Sequence, residues 1–476
     1  MIAGLSIFLG VGMGFLIVRG EWFFAIILAL LMPGAFILIN RPFLGVFLWL
    51  LLMPLSSALP NPELMYWGIH RILIPLTLVL TIISRFVHTR ELPPIHLGFP
   101  EICILLLAIY TPLSLAVTDS VNSEPLRKYL DRFIIPFLMY LAVRLSTLDK
   151  RNLKGLEITA FVVAVIQSGI GFMSWIMPSM LPRVWHHLVG YRTGGSLGDP
   201  AVFTSLLVFC AVILIHASMQ RNHTLIRLMY LLVSGACFVG VFISLERGSW
   251  LAGVLVLAGL VVLYRKRMLR LILLGGLAMI LLGAGLLSRQ VSMAIERFGE
   301  QHPIDDRIVV TDAMIQMILE KPVFGWGYDR LNVYMQDYYR QVGSASIAFG
   351  FTTSHNTYLT IFTELGLVGF LLYSLPVIWL FLKSAKAWRG PPPMNQPQLL
   401  LLFTFWFGAL QNFAVSNFMD MRFFPIGLTL WWLTLGLIEN LLNQSEYDQK
   451  RKWNRRGWTS LRGSRFGDGA LLGDDF

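Results

Sequence analysis

The stretch SHNTYLTIFTELGLVGFLLY, residues 354–373, opens with polar groups and a histidine, then passes into an apolar run broken only by Glu364. A helix needs about 17–25 predominantly apolar residues to cross a hydrocarbon core about 30 Å thick. Runs of that kind recur from one end of the chain to the other: 2–18, 22–39, 43–58, 71–86, 101–117, 132–146, 156–176, 200–217, 228–245, 249–264, 271–287, 357–383, 398–416 and 423–442. The 476 residues are 56% hydrophobic and 14% charged, where a soluble domain carries about 25% charged residues. Backbone facing lipid must satisfy its own hydrogen bonds, and the runs lack the alternation of a membrane barrel. The expected fold is therefore all-α: a polytopic integral membrane protein of about 12–14 transmembrane helices.

The net charge of +11 invites a nucleic-acid reading, but the basic residues sit between spans and in alternate loops: SRFVHTR (84–90), DKRNLK (149–154), QRNHTLIR (220–227), RKRMLR (265–270), KSAKAWR (383–389) and KRKWNRRGW (450–458). Positive loops stay cytoplasmic, which puts both termini inside. Residues 1–18 lack a basic leader and run straight into a second span, so they read as a span and not a cleaved signal. Cys103, Cys210 and Cys237 lie inside apolar runs as small core residues. The organisation expected is N-terminal spans (1–150), a membrane core (151–445) and a basic cytoplasmic tail (446–476) that reads as disordered, most plainly over its Gly-, Ser- and Asp-containing end, 459–476. The longest external loop is 288–354. Within it, apolar positions recur at helical spacing from Ile308 to Ile318 until Pro322 stops the pattern, as in an amphipathic helix that lies on the bilayer or caps the bundle.

This orientation gathers Arg192, Arg247, Arg307 and His355 on the external face. Arginine presents a planar fork suited to phosphate. Arg192 lies in a glycine-rich loop (GYRTGGSLGDP), and Arg247 in a tight turn beside Glu246, which either partners it or simply marks the hairpin. Arg307 follows Asp305 and Asp306. His355 begins a helix, with Thr352, Thr353 and Ser354 as candidate caps. A helix N-terminus and nearby arginines both disfavour imidazolium, leaving a neutral ring able to act as a general base. At about 100° per residue, Gly366 and Gly369 return to within roughly 40° of the His355 face. They form a strip that either packs a neighbouring helix or leaves a groove for an acyl or prenyl chain. Glu364 lies half a turn away. Asp420 and Arg422 flank a short turn and pair. Trp185, His186 and His187 resemble an interfacial belt. No metal motif is visible.

The pattern His355, Asn356, nine residues, Gly366, two residues, Gly369 resembles the ligase branch of the O-antigen ligase and polymerase superfamily of bacterial membrane glycosyltransferases. YRTGGSLGDPAVF (191–203), SLERGSWLAG (244–253) and EKPVFGWGYD (320–329) are similar to its looser elements. The chain departs from it at Ala201, where Asn is common, and at Glu246, where a small hydroxyl residue is common. The resemblance spans roughly 180–440. It implies metal-independent transfer of a glycan from an undecaprenyl-diphosphate carrier to a hydroxyl acceptor, such as a lipid A core sugar, at the periplasmic side of the inner membrane and with no cofactor. It implies His355 as the base, Arg192 and Arg247 as clamps on the diphosphate, Arg307 as a third, and Asn356, Gly366 and Gly369 at the substrate. A polymerase joining lipid-linked repeats shares the chemistry. A transporter of lipid-linked sugars would instead place polar residues at mid-membrane.

Overall fold

The computed structural model describes residues 2–22, 25, 37, 38, 40–87, 97–117, 123–186, 192–285, 288–299, 302–339, 354–389 and 394–465. Among them the chain forms helices and short helical turns, with no strand. In order these are α1 (Ile2–Val18), α2 (Leu44–Leu52), α3 (Pro62–Phe86), α4 (Phe99–Val117), α5 (Ile135–Leu145), α6 (Lys150–Ile176), α7 (Pro200–Gln220) and α8 (Thr224–Ile243). They are followed by α9 (Arg247–Tyr264), α10 (Lys266–Ala284), α11 (Ser288–Gly299), α12 (His302–Glu320), α13 (Thr357–Arg389), α14 (Gln396–Val415) and α15 (Pro425–Arg465).

Nine helices among the described residues are long and apolar enough to span a bilayer: α3, α4, α6, α7, α8, α9, α13, α14 and the stretch Pro425–Tyr447 of α15. That is fewer than the 12–14 expected. Of the other runs, α1 has 17 residues, and the apolar helix at 44–58 turns 3₁₀ from Met53, where Pro54 interrupts it. The run at 132–146 is a short α5 entered through a π-helical turn that carries Asp131 and Arg132. Most of 22–39 lies outside the described residues.

Two helices form the centre. α7 and the stretch Pro425–Tyr447 of α15 are buried almost throughout, α7 packed between α6, α8 and α14 and α15 between α5, α13 and α14. Around them, α8, α9 and α13 bury about a third of their residues. Their outer faces carry exposed Leu228, Leu232, Val254, Val262 and Ile378, the signature of lipid-facing surface. α15 packs along α5 and α13 along α4, so the first 150 residues interleave with the rest and form no separate body. The boundary at 150 marked a loop, not a break in packing. α15 also runs on to Arg465. The stretch 446–465, expected as part of a disordered tail, is therefore helical. Proline-free and rich in Lys and Arg over its first turns, it propagates a helix already nucleated by packing. Residues 466–476 lie outside the described residues.

The loop helix expected around 308–318 is α12, ending at Glu320 as Pro322 requires. It caps the bundle: Val310, Ala313, Met314 and Met317 form a small core with Trp326, Leu331 and Met335. A second amphipathic helix, α11, precedes it.

Candidate functional site

His355 sits just before α13, at the end of the bundle where several connections are tied together. Asn356 caps α13: its Oδ1 accepts from the Tyr358 and Leu359 N–H groups, both at 3.0 Å. The expected caps were Thr352, Thr353 and Ser354; the first two lie outside the described residues. Ser354 instead donates to Asp420 Oδ2 (3.4 Å) and pairs with Thr360. The Thr357 N–H donates to Ser416 O (2.9 Å), its hydroxyl donates to Met419 O (3.1 Å), and Met421 N–H donates back to that hydroxyl (2.9 Å). The start of α13 is thus fastened to the 416–421 turn on both sides of His355. The histidine adopts a left-handed conformation with φ 51°, uncommon outside glycine and maintained here by those flanking bonds.

The His355 imidazole titrates below its ordinary 6.5. Burial is the main cause, and Arg307 and then Arg192 push the same way; Asp420 and Asp306 oppose them. Burial together with Arg247 and Arg297 holds the Arg307 guanidinium below its usual value. Arg307 of α12 and Arg192 from the glycine loop thus act on His355, and Arg247 at the start of α9 and Arg297 of α11 act on Arg307 in turn. Arg297 escaped the sequence reading, since nothing in its local sequence distinguishes it from a solvated helix charge. Glu246, adjacent to Arg247, forms an ion pair with Arg192, 54 positions away. The residue that departs from the family pattern is thereby the brace of one of the arginines. Leu245, just before, is left-handed with φ 54°, a costly conformation for a bulky residue and one that aims the turn. The other end of the Arg192 loop is closed by Asp199, which caps α7 through Ala201 N–H (2.8 Å) and Val202 N–H (3.1 Å).

Behind His355 lies a buried ionic knot. Arg422 Nη1 donates to Glu364 Oε2 (2.7 Å), while its Nε and Nη2 donate to Asp420 (3.1 and 2.9 Å). The Asp420–Arg422 pairing is as expected; Glu364 joins it from inside α13. Burial pushes the Asp420 carboxyl up, but the Arg422 guanidinium prevails and holds it below the usual carboxylate range.

α13 is not one continuous helix. At Gly366 the backbone turns to φ 64°, ψ −168°, a region open essentially only to glycine. The loop after α12 fills the break. Trp326 N–H donates to Thr363 O (3.0 Å) and Gly327 N–H to Glu364 O (2.8 Å); in return Leu367 N–H donates to Pro322 O (2.8 Å) and Val368 N–H to Val323 O (3.2 Å). A Cβ on Gly366 would lie 2.2 Å from Val323 O, and one on Gly325 2.5 Å from Glu364 O. This corrects the continuous glycine strip expected beneath His355: the chain's own backbone occupies the space at Gly366. Helical periodicity assumes helical dihedrals, so it could not register the break. A Cβ on Gly369 would meet Leu365 Cβ at 2.2 Å across it.

Of the other residues singled out, Trp185 Nε1 donates to Ser57 Oγ (2.9 Å) and His186 Nε2 lies 3.0 Å from Leu181 O; His187 lies outside the described residues. Asp306 opposes the lowering of the His355 pKa. Among the described residues, no three His, Cys, Asp or Glu side chains stand close enough to share a metal ion.

Residues 232–374 match the family described as O-Antigen ligase. The interval runs from within α8 to within α13, taking in Arg247, Arg297, Arg307, His355, Asn356, Gly366 and Gly369 and leaving Arg192 outside. No curated protein matches the chain.

Proposed function

We propose that this chain, whose residues 232–374 match the O-antigen ligase family, transfers a glycan from an undecaprenyl-diphosphate carrier to a hydroxyl acceptor, at the external face of a bacterial inner membrane and without a metal ion. The observation that carries this reading is the half-buried imidazole of His355, whose pKa burial, Arg307 and Arg192 hold below its ordinary value, with Arg247 and Arg297 acting on Arg307 beside it. His355 accepts the proton of an acceptor hydroxyl as the oxygen attacks the anomeric carbon. The bond from that carbon to the diphosphate breaks, and the departing diphosphate gains negative charge. Arg192, Arg247 and Arg307 meet that charge. Because it is greater at the transition state than in the bound donor, their contribution accelerates the reaction and does not merely tighten binding. Asp420 and Asp306 act on the imidazole in the opposite sense to the arginines, easing its passage to imidazolium during turnover. Alternate positive loops support a cytoplasmic placement for both termini, with His355 opposite them.

Reconstitution with purified lipid-linked glycan tests the proposal. His355→Ala should lower transfer by about 10²–10⁴-fold, the usual share of a general base; a wild-type rate would sink the assignment. Supplying lipid A core as acceptor, then only lipid-linked repeats, separates a ligase from a polymerase.

A further inference from the structure

The turn that carries Arg422 also borders a cavity of about 300 Å³, its wall including Tyr66, Trp67 and Arg71 of α3, Asp131 and Arg132 of the segment before α5, and Phe423. Such a volume is at the lower end of ligand-sized pockets, about 300–1,000 Å³. Two π-helical segments occur among the described residues, Trp67–Ile72 and Leu130–Ile134, and both contribute to this wall. π-turns are rare and gather at functional sites, because each adds a residue to a helical turn and re-aims the side chains beyond it. Here Arg71 meets Asp131 in a two-pronged pair, Nε to Oδ1 at 2.7 Å and Nη2 to Oδ2 at 2.6 Å.

The charges of the wall are largely compensated. Besides the Arg71–Asp131 pair, Lys128 and Arg132 share Asp329 at 2.8 and 3.1 Å, and Arg422 is held by Glu364 and Asp420. An incoming anion would have to compete with carboxylates already in place. A hydroxylated, uncharged ligand would not: hydroxyls both donate and accept, and fixed ion pairs offer both roles side by side. Trp67 and Phe423 remain 44% and 39% exposed, each with a guanidinium over its ring, Arg71 at 4.1 Å and Arg132 at 4.7 Å. Exposed aromatic surface beside fixed polar groups suits the C–H face of a sugar ring.

We propose that this cavity seats a saccharide, namely the acceptor sugar. The identification as acceptor rests on the transferase reading above. The cavity shares its wall with the reacting site, since the turn that supplies Arg422 and Phe423 also supplies Asp420, which acts on His355.

The test is direct binding to the purified full chain, read by saturation-transfer NMR with a dephosphorylated core oligosaccharide released from lipopolysaccharide by mild acid. The wild type and Trp67→Phe should bind, and Trp67→Ala should bind about tenfold more weakly or worse. No binding by the wild type, equal binding by Trp67→Ala, or displacement by inorganic phosphate at constant ionic strength would overturn the saccharide assignment. Transfer assays then separate the two claims. In Trp67→Ala, KM for the acceptor should rise while KM for the lipid-linked donor holds. Trp67-dependent binding without any transfer by the wild type would leave the saccharide site standing and remove the transferase reading. Transfer with an unchanged acceptor KM would do the reverse.

Discussion

At the residue scale, the site is a balance of charges about one imidazole. Arg307 and Arg192 lower the His355 pKa, adding to burial, and Asp420 and Asp306 raise it. A base with a depressed pKa remains unprotonated to lower pH, so the acid limb of kcat/KM should lie below 6.5, the ordinary value for histidine. Arg307→Gln removes one of the depressing charges, so the limb should move to higher pH while the rate at the optimum falls. A pH–rate profile of the two proteins decides this: a lower rate with an unmoved limb would mean that Arg307 does not act on the base. His355, Arg192, Arg247 and Arg307 were all legible as candidates in the sequence, since a charged or titratable residue at a span boundary stands out against apolar surroundings. Their partners were not. Glu246 braces Arg192 and not the adjacent Arg247, and a pairing across 54 positions has no local signal.

At the scale of elements, the decisive feature is the break in α13 and the loop that plugs it. Each supplies backbone groups that the other needs, and Tyr110 of α4 adds its hydroxyl to both, donating to Phe324 O (3.1 Å) and Leu365 O (3.0 Å). Gly366→Ala should cost about 1–3 kcal/mol for the backbone conformation alone, and more for the displaced Val323 carbonyl. Thermal unfolding of the detergent-purified protein measures it, and Gly325→Ala should behave alike. Because the two glycines face the same contact, the double variant should lose less than the sum of the singles; full additivity would show that the plug and the break are independent. The loop motif 322–327 and the glycines of α13 could each be read in the sequence as turn or packing signals. That they form a single joint required the fold.

At the scale of the whole molecule, α15 is pinned by two ionic knots, one just before its start and one about a third of the way along it. Near its start are Arg422, Asp420 and Glu364. Farther along, Arg144 Nε lies 2.7 Å from Glu101 Oε1 and 3.6 Å from Glu439 Oε1, with Tyr140 bridging both carboxylates. Arg144 and the two acids are at most 4% exposed. Arg144→Leu would strand two buried acids and should destabilise the protein by about 3–5 kcal/mol, whereas adding Glu101→Gln and Glu439→Gln should recover most of the loss. Unfolding midpoints of the single and triple variants provide the comparison; equal midpoints would contradict the knot. Neither variant touches the His355 face, so surviving folded protein should retain its KM for the donor.

Membrane class, helical architecture and the candidate site residues can be read from the sequence alone, because hydrophobicity, run length and isolated charges are properties of short stretches. Which arginines share a carboxylate, where α13 opens and how two π-turns come to share one cavity wall emerge only when distant segments are brought into contact. Electrostatic pairing and backbone exchange depend on separation in space, and no local pattern of residues encodes it.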